Sequence, residues 1–415
     1  MTERLAAAVA VVGAGPAGLA AAVTAAEAGA SVVLLDEAPR PGGQVWRHRG
    51  APPPAALGWL ERLARARLAT LAGATVFDAP DGQSLAAERE GNVVSIRFDR
   101  LVVATGAREL FLPFPGWTLP GVIGVGAAHA LLGSGASFAG RSVVVSGSGP
   151  LLLSVGASLA REGARVVAVV EQAPRERLGR FALSLLFRPG KLGQGVAARA
   201  SLLGVPYLTG SWVRAAEGAG RVARAVVTDG AEERIFACDV LACGYGLVPN
   251  LELPRLLGCA VERGAVVVDR DQRTSVPHVF AAGELCGIGG VDQALVTGAV
   301  AGLAAAGRPV PERLFLAARR ESAFAGALAA AFALRDELRR LASAATVVCR
   351  CEDVPLGRLD PALGARQAKL STRAGMGPCQ GRVCGAALSF LHGWEADAVR
   401  PPLKPVPVSA LEGDA

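Results

Sequence analysis

The chain has little with which to do acid–base chemistry near neutral pH. It holds four histidines in 415 residues, His48, His129, His278 and His392. They are scattered without a neighbouring base or orienting group, so each reads as a surface or packing residue and no catalytic side chain is assigned. Long runs of one charge are also missing. The 43 basic and 36 acidic residues, net +7, are interspersed, which argues against a nucleic-acid-binding arm. Uninterrupted apolar spans are absent too. Mean hydropathy is +0.38 and residues 5–26 carry no charge, but Gly13, Gly15, Pro16 and Gly18 interrupt that stretch. A strand–turn–helix explains those residues better than a spanning helix or a signal peptide. No targeting or transmembrane segment is therefore expected, and eight cysteines without a secretory signal point to the reducing cytoplasm.

What is present begins with a glycine turn. "AVAVVGAGPAGLAAAVTAAEAGASVVLLD" reads as strand, turn, helix and strand, its apolar runs lacking alternation as in a parallel sheet covered on both faces. In "GAGPAG" Gly13 permits the tight turn, Gly15 admits a pyrophosphate and Gly18 lets helix and strand approach; Ala14, Pro16 and Ala17 complete the loop. Asp36 ends the next strand, where a carboxylate accepts hydrogen bonds from an adenosine ribose, with Glu37 beside it as a substitute. Gly42, Gly43 and Gln44 of "RPGGQ" offer backbone to a flavin. Glu284, after Gly283 in "VFAAGE", stands where a ribityl chain or diphosphate-linked hydroxyl would lie. With Ala104, Thr105 and Gly106 of "ATGA", the order of these pieces resembles the flavin disulfide-reductase superfamily over roughly residues 5–308. That resemblance implies an FAD domain split around an inserted second nucleotide domain. Yet the dithiol of that superfamily is missing: there is no C-x4-C after the first helix and strand and no C-x-x-C in the second domain, so electrons must leave a flavin by another route.

The opening pattern recurs in "RSVVVSGSGPLLLSVGASLAREGARVVAVVE", an internal repeat of a nucleotide-binding unit. Gly147 and Gly149 form its turn and Glu171 is placed as a ribose acceptor, but Leu152 stands where glycine or alanine lets the helix close on the strand. NAD, ATP or an empty scaffold remain open for this domain. Elsewhere helices are expected over residues 54–73, 311–344 and from Pro378 onward. Residues 91–107 read as two strands and 220–246 as paired strands, and "RPPLKPVP" begins an extended, frayed terminus.

Cys238, Cys243, Cys259 and Cys286 lie among apolar or glycine-rich neighbours and read as small buried hydrophobes. The other four fall in two tight pairs: Cys349 and Cys351 flank Arg350, and four residues separate Cys379 from Cys384. Four thiolates so spaced hold zinc or a 2Fe-2S cluster. Glycines Gly375, Gly377 and Gly381, the helix expected from Pro378, and Arg350, Lys369, Arg373 and Arg382 all favour negative charge on sulfur. Such tuning suits a redox centre more than a structural zinc, so iron–sulfur is favoured.

The segments "ATGARELFLPFPGWTLPGV", "GYGLVPN", "RTSVPHVFAAGE", "AGMGPCQGRVCG" and "RPPLKPVP" resemble the alpha, or A, subunits of hetero-oligomeric amino-acid and opine dehydrogenases: opine oxidases, hydroxyproline and proline dehydrogenases and hydrogen cyanide synthase, with sarcosine oxidase alpha chains more distant. The resemblance implies a D-amino-acid-oxidase-like, FAD-containing beta subunit that oxidises a C–N bond while the alpha chain relays electrons. It leaves room for a small additional subunit, for FMN at a subunit boundary and for an acceptor at the inner face of the membrane. The expected architecture is α/β. Residues 1–118 and 265–310 form an FAD domain and 119–264 a second Rossmann-like domain. A helical linker spans 311–344, a small α-helical BFD-like 2Fe-2S domain 345–397, and a tail 398–415.

Overall fold

The computed structural model describes residues 3–48, 50–395 and 399–411. The chain forms two compact units. One comprises Met1–Arg108, Val248–Gly326 and Ala398–Ala415, the other Glu109–Leu247 and Ala327–Asp397. The first two crossings thus fall at 108/109 and 247/248, ahead of the 118/119 and 264/265 expected. Among the described residues no helix is long and apolar enough to cross a membrane.

The first unit is built on a sheet ordered Ala69–Ala72, Val32–Asp36, Glu3–Val12, Asn92–Val103, Ser84–Arg89 and Thr75–Asp78, with Val279–Ala281 added beside Asn92–Val103. Its central pairings, Glu3–Val12 with Val32–Asp36 and with Asn92–Val103, are parallel. Helix Pro16–Glu27 follows the glycine turn and packs against helix Val291–Ala305. The two helices touch backbone to backbone: a Cβ built on Gly298 would stand 2.1 Å from the Ala17 carbonyl oxygen, so only glycine allows the contact.

Three expectations change here. Asn92–Val103 is one strand, not two. Its first half alternates buried and open positions against antiparallel Ser84–Arg89, whereas its last three residues are buried on both faces beside Glu3–Val12. That change of environment mimics a break. The helix expected over 54–73 ends at Arg65, because Ala69–Ala72 pairs with Val33–Asp36 as a sheet edge and tertiary pairing overrides the helix propensity of Ala and Leu. The proline-rich tail, described for 399–411, is docked and not frayed. The Leu403 N–H donates to the Phe77 carbonyl at 2.8 Å, Leu403 is buried, and the Lys404 ammonium pairs with the Glu37 carboxylate.

The second unit holds an all-parallel sheet ordered Tyr207–Thr209, Arg165–Glu171, Ser142–Gly147, Val240–Gly244 and Val122–Gly124. Beside it runs an antiparallel sheet of Trp212–Glu217, Arg224–Thr228 and Glu233–Ala237. The expected linker helix stops at Ala331; Phe332–Arg335 is irregular and Asp336–Arg340 is a 3-10 turn whose Leu338 enters the core with Trp117 and Trp212. The cysteine region is a short hairpin, Val347–Cys349 with Val354–Pro355, plus helices Ala365–Thr372 and Cys384–His392 around a small core of Val348, Val354, Leu388 and Trp394. Trp117 Nε1–H donates to the Val347 carbonyl at 2.5 Å, which ties this hairpin to the nucleotide-binding fold of the same unit. The helix expected from Pro378 begins only at Cys384, because Gln380 and Gly381 adopt positive φ and break the helical path.

Candidate cofactor sites

In the first unit Asp36 accepts hydrogen bonds from the Ala14 N–H, inside the glycine turn, and from the Ala38 N–H at 2.7 Å. The residue stays half-open to solvent, so lone pairs are left for a ribose. The "RPGGQ" turn is pinned to the same loop: the Gly42 N–H donates to the Ala14 carbonyl at 2.8 Å. Gly42 and Gly43 have positive φ, while Gln44 is exposed. Trp46 is buried in the core and packs instead of lining an open face. Thr105 and Asn250 exchange two hydrogen bonds, Oγ1–H to the Asn250 carbonyl at 3.0 Å and Nδ2–H to the Thr105 carbonyl at 2.8 Å, which fixes the "ATGA" turn.

Glu284 supplies the test of whether these residues suit a bound flavin nucleotide. One carboxylate oxygen accepts the Gly290 N–H at 2.8 Å; the other is buried and has no partner among the described residues, as has Oε1 of nearby Gln293. Burial pushes the Glu284 carboxyl above its usual range. Buried oxygens without donors are rare and costly, and the hydroxyl-rich chain of a flavin nucleotide is the kind of ligand that satisfies them. Glu37, weighed as an alternative to Asp36, is instead paired with Lys404, a residue whose place next to Asp36 no local pattern announces.

The four paired cysteines converge. Cys349, Cys351, Cys379 and Cys384 line one cavity of about 290 Å3 together with Arg350 and Trp117, roughly ten times a water's share of liquid volume. Within it the thiols lie close enough to shift one another's ionisation, Cys351 beside Cys379 and Cys384 beside Cys349. Among the described residues no three His, Cys, Asp or Glu side chains are placed to hold one metal ion. Four sulfurs and no histidine on a common cavity are a donor set that suits zinc or an iron–sulfur cluster. Burial opposes ionisation of Cys379, but N–H donors from Val383, Gly381 and Arg382 and the Cys351 thiol hold it below the usual thiol range. The Gly375 N–H reaches Cys349 Sγ at 3.4 Å. Of the cations singled out by position, Arg350 lines the cavity, whereas Arg373 is engaged by Glu352 at 2.7 Å.

Glu109, overlooked in the sequence, also lines this cavity. It accepts the Gly126 N–H at 2.9 Å at the start of helix Val125–Gly133. Burial raises its carboxyl to about 7 against the Gly126, Val125 and Ala127 amides. The only hint was one carboxylate inside the apolar run "RELFLPFPG".

In the second nucleotide fold Glu171 is fully buried and burial likewise raises it to about 7, opposed by the Ala173 and Gly149 amides and the Ser148 side chain. Because the folded pKa lies above the ordinary 4.5, the folded chain binds this proton more tightly than the unfolded one. Stability from this group is full below about pH 4.5 and is lost as pH rises through about 7; the span corresponds to on the order of 3 kcal/mol at most. Glu109 acts with the same sign. Thermal melts should therefore fall in Tm from pH 5 to pH 7.5, and Glu171→Gln should flatten that slope; an unchanged slope would remove Glu171 as its source.

A family model described as pyridine nucleotide-disulphide oxidoreductase matches residues 7–302. Hydrogen cyanide synthase subunit HcnB of Pseudomonas aeruginosa is 33% identical, over 97% of this chain and 97% of its own. The A subunit of opine oxidase from Rhizobium meliloti is 34% identical over 95% and 96%. Among solved structures, L-proline dehydrogenase from P. horikoshii aligns with a TM-score of 0.70 at 20% identity, over 99% of this chain and 80% of that one, a likeness of fold. The parallel strands at the centre of each unit, the glycine turn closed by Asp36 and the match across most of the chain agree: this protein belongs to the pyridine nucleotide-disulphide oxidoreductase family.

Proposed function

We propose that this chain is the electron-transferring flavoprotein subunit of a hetero-oligomeric dehydrogenase, in which a partner subunit of the D-amino-acid-oxidase type oxidises the C–N bond of an amino acid, imino acid or opine. The observation that carries this reading is the convergence of Cys349, Cys351, Cys379 and Cys384 on one cavity in an oxidoreductase whose sequence lacks the family's redox dithiol. In the first unit Asp36 and the glycine turn hold the adenosine end of FAD, and Glu284 orients its hydroxyl-bearing chain. In the second unit the four thiolates hold a 2Fe-2S cluster. Bound there, the cluster supplies one-electron steps beside the two-electron chemistry of a flavin. The relatives named as subunits of opine oxidase and hydrogen cyanide synthase support a partner chain, and FMN at the shared boundary belongs to the same reading.

The test is co-expression with the genes flanking this one, followed by extraction of cofactors and a screen of amino acids, imino acids and opines with an artificial electron acceptor. The expected result is a complex containing flavin, iron and acid-labile sulfide that turns over at least one such amine. Failure of any flavoprotein to co-purify, or a zinc content in place of iron, would overturn it.

A further inference from the structure

The family name and the internal repeat both imply a pyridine nucleotide in the second unit, and the residues there do not fit one. In open parallel sheets the dinucleotide lies across the carboxyl ends of the strands, its adenosine ribose on the acidic residue that ends the second strand. Here that residue is Glu171, at the end of strand Arg165–Glu171. One oxygen accepts the Gly149 N–H and the other the Ala173 N–H, both at 2.8 Å, and no part of the residue reaches solvent. Asp36 makes the corresponding backbone bonds in the first unit but keeps an open side. The difference lies in what covers the strand ends.

In the second unit the cover is the chain itself. Ser148, inside the glycine turn, donates its hydroxyl to the Phe332 carbonyl at 3.0 Å. Gln172, the residue after Glu171 and also fully buried, is the clamp: Nε2–H donates to Ser148 Oγ at 2.9 Å and to the Ala333 carbonyl at 3.3 Å, while Oε1 accepts the Arg335 N–H at 3.2 Å. Arg177 donates to the Ala333 carbonyl at 3.0 Å, the Phe332 ring meets Phe181 edge-on at 5.3 Å, and Arg335 reaches the Gly210 carbonyl at 3.3 Å while lying over Trp212. The segment thus crosses the ends of three neighbouring parallel strands. The outer side of the turn stays open, since a Cβ on Gly149 would meet nothing within 4 Å. What is excluded is the ribose, not an anion at the turn.

We propose that Phe332–Arg335 seals the adenosine-ribose end of the second dinucleotide fold, with Gln172 as the clamp, so that this chain neither binds nor exchanges electrons with NADH or NADPH. The inference goes beyond the proposed function and is independent of which amine the enzyme oxidises. Electrons then leave by a carrier other than a pyridine nucleotide.

The experiment uses the whole chain, with its partner if it co-purifies. NADH and NADPH are titrated at millimolar concentration, following nicotinamide fluorescence and, separately, the flavin's visible absorbance. Neither should change saturably. Hydrogen–deuterium exchange by mass spectrometry should show slow exchange in the peptide spanning residues 332–335, unaltered by NADH. Gln172→Ala should speed that exchange by about tenfold or more, the size expected when a buried clamp of several hydrogen bonds is lost. Saturable NADH or NADPH binding to the wild type, flavin bleaching, or fast exchange of that peptide would each overturn the seal. Because fluorescence reads binding without any flavin, a failure of the FAD assignment would remain distinguishable.

Discussion

Cys384→Ser is expected to strip iron and acid-labile sulfide from the protein and to cut electron delivery by on the order of 100-fold or more, while FAD content stays at the wild-type level. The magnitude follows from the fact that even residues behind the ligands of a metal site cost about 10- to 100-fold when lost, and a ligand should cost no less. Cys384 is 2% exposed, opens helix Cys384–His392 and lies beside Cys349 in the cavity. In the free chain, burial and then the charge of Cys349 push its thiol well above the usual range, so ionisation at neutral pH is tied to capture of a cation. A serine hydroxyl, far weaker as an acid than a thiol, cannot repeat that trade. Cys259, whose thiol donates to Thr274 Oγ1 at 3.6 Å in the other unit, is the control: Cys259→Ser should leave iron unchanged. Iron and sulfide assays with paramagnetic resonance after dithionite reduction check both. Full iron content in Cys384→Ser, or loss of iron without loss of turnover, would remove the cluster from the electron path.

What the sequence exposed and what it hid divide along a physical line. The glycine turn with Asp36 and the two cysteine pairs are local patterns. A tight turn, a close helix–strand approach and a pair of neighbouring thiolates each impose residue types within a few positions, and the structure brings those residues together. The misjudged elements were decided by distant partners. Ala69–Ala72 is a strand because Val33–Asp36 lies beside it. The proline-rich tail is docked because Phe77 and Glu37 receive it. The helix at the cysteines is the exception: it starts late because of backbone turns at Gln380 and Gly381, only a few residues before it. Gln172 and Glu109 were invisible for the same reason as the strand and the tail: a buried polar residue is marked by its partners, which lie 160 residues away in Phe332 and 17 away in Gly126.

The repeat offers a paired experiment inside one chain, because Gly18 and Leu152 occupy the same position of the two turns "GAGPAG" and "GSGPLL". A Cβ on Gly18 would fall 1.7 Å from the Gly13 carbonyl oxygen and 2.8 Å from its carbon, and a backbone carbonyl cannot swing aside as a flexible side chain does. Gly18→Leu should therefore force helix Pro16–Glu27 off the strand, destabilise the first unit by more than about 3 kcal/mol and abolish FAD retention. In the second turn the larger residue is already accommodated: Leu152 is 1% exposed and packs with Val143, Val155 and Leu202, so here the position serves the core. Leu152→Ala should cost about 2–5 kcal/mol through the cavity it leaves, with FAD content unaltered. Denaturant unfolding and the flavin-to-protein absorbance ratio separate the two outcomes. Should Gly18→Leu keep its FAD, the close approach at the first turn would not be what holds the cofactor; should Leu152→Ala lose it, the second unit would share in binding and the two halves of the repeat would not have parted roles.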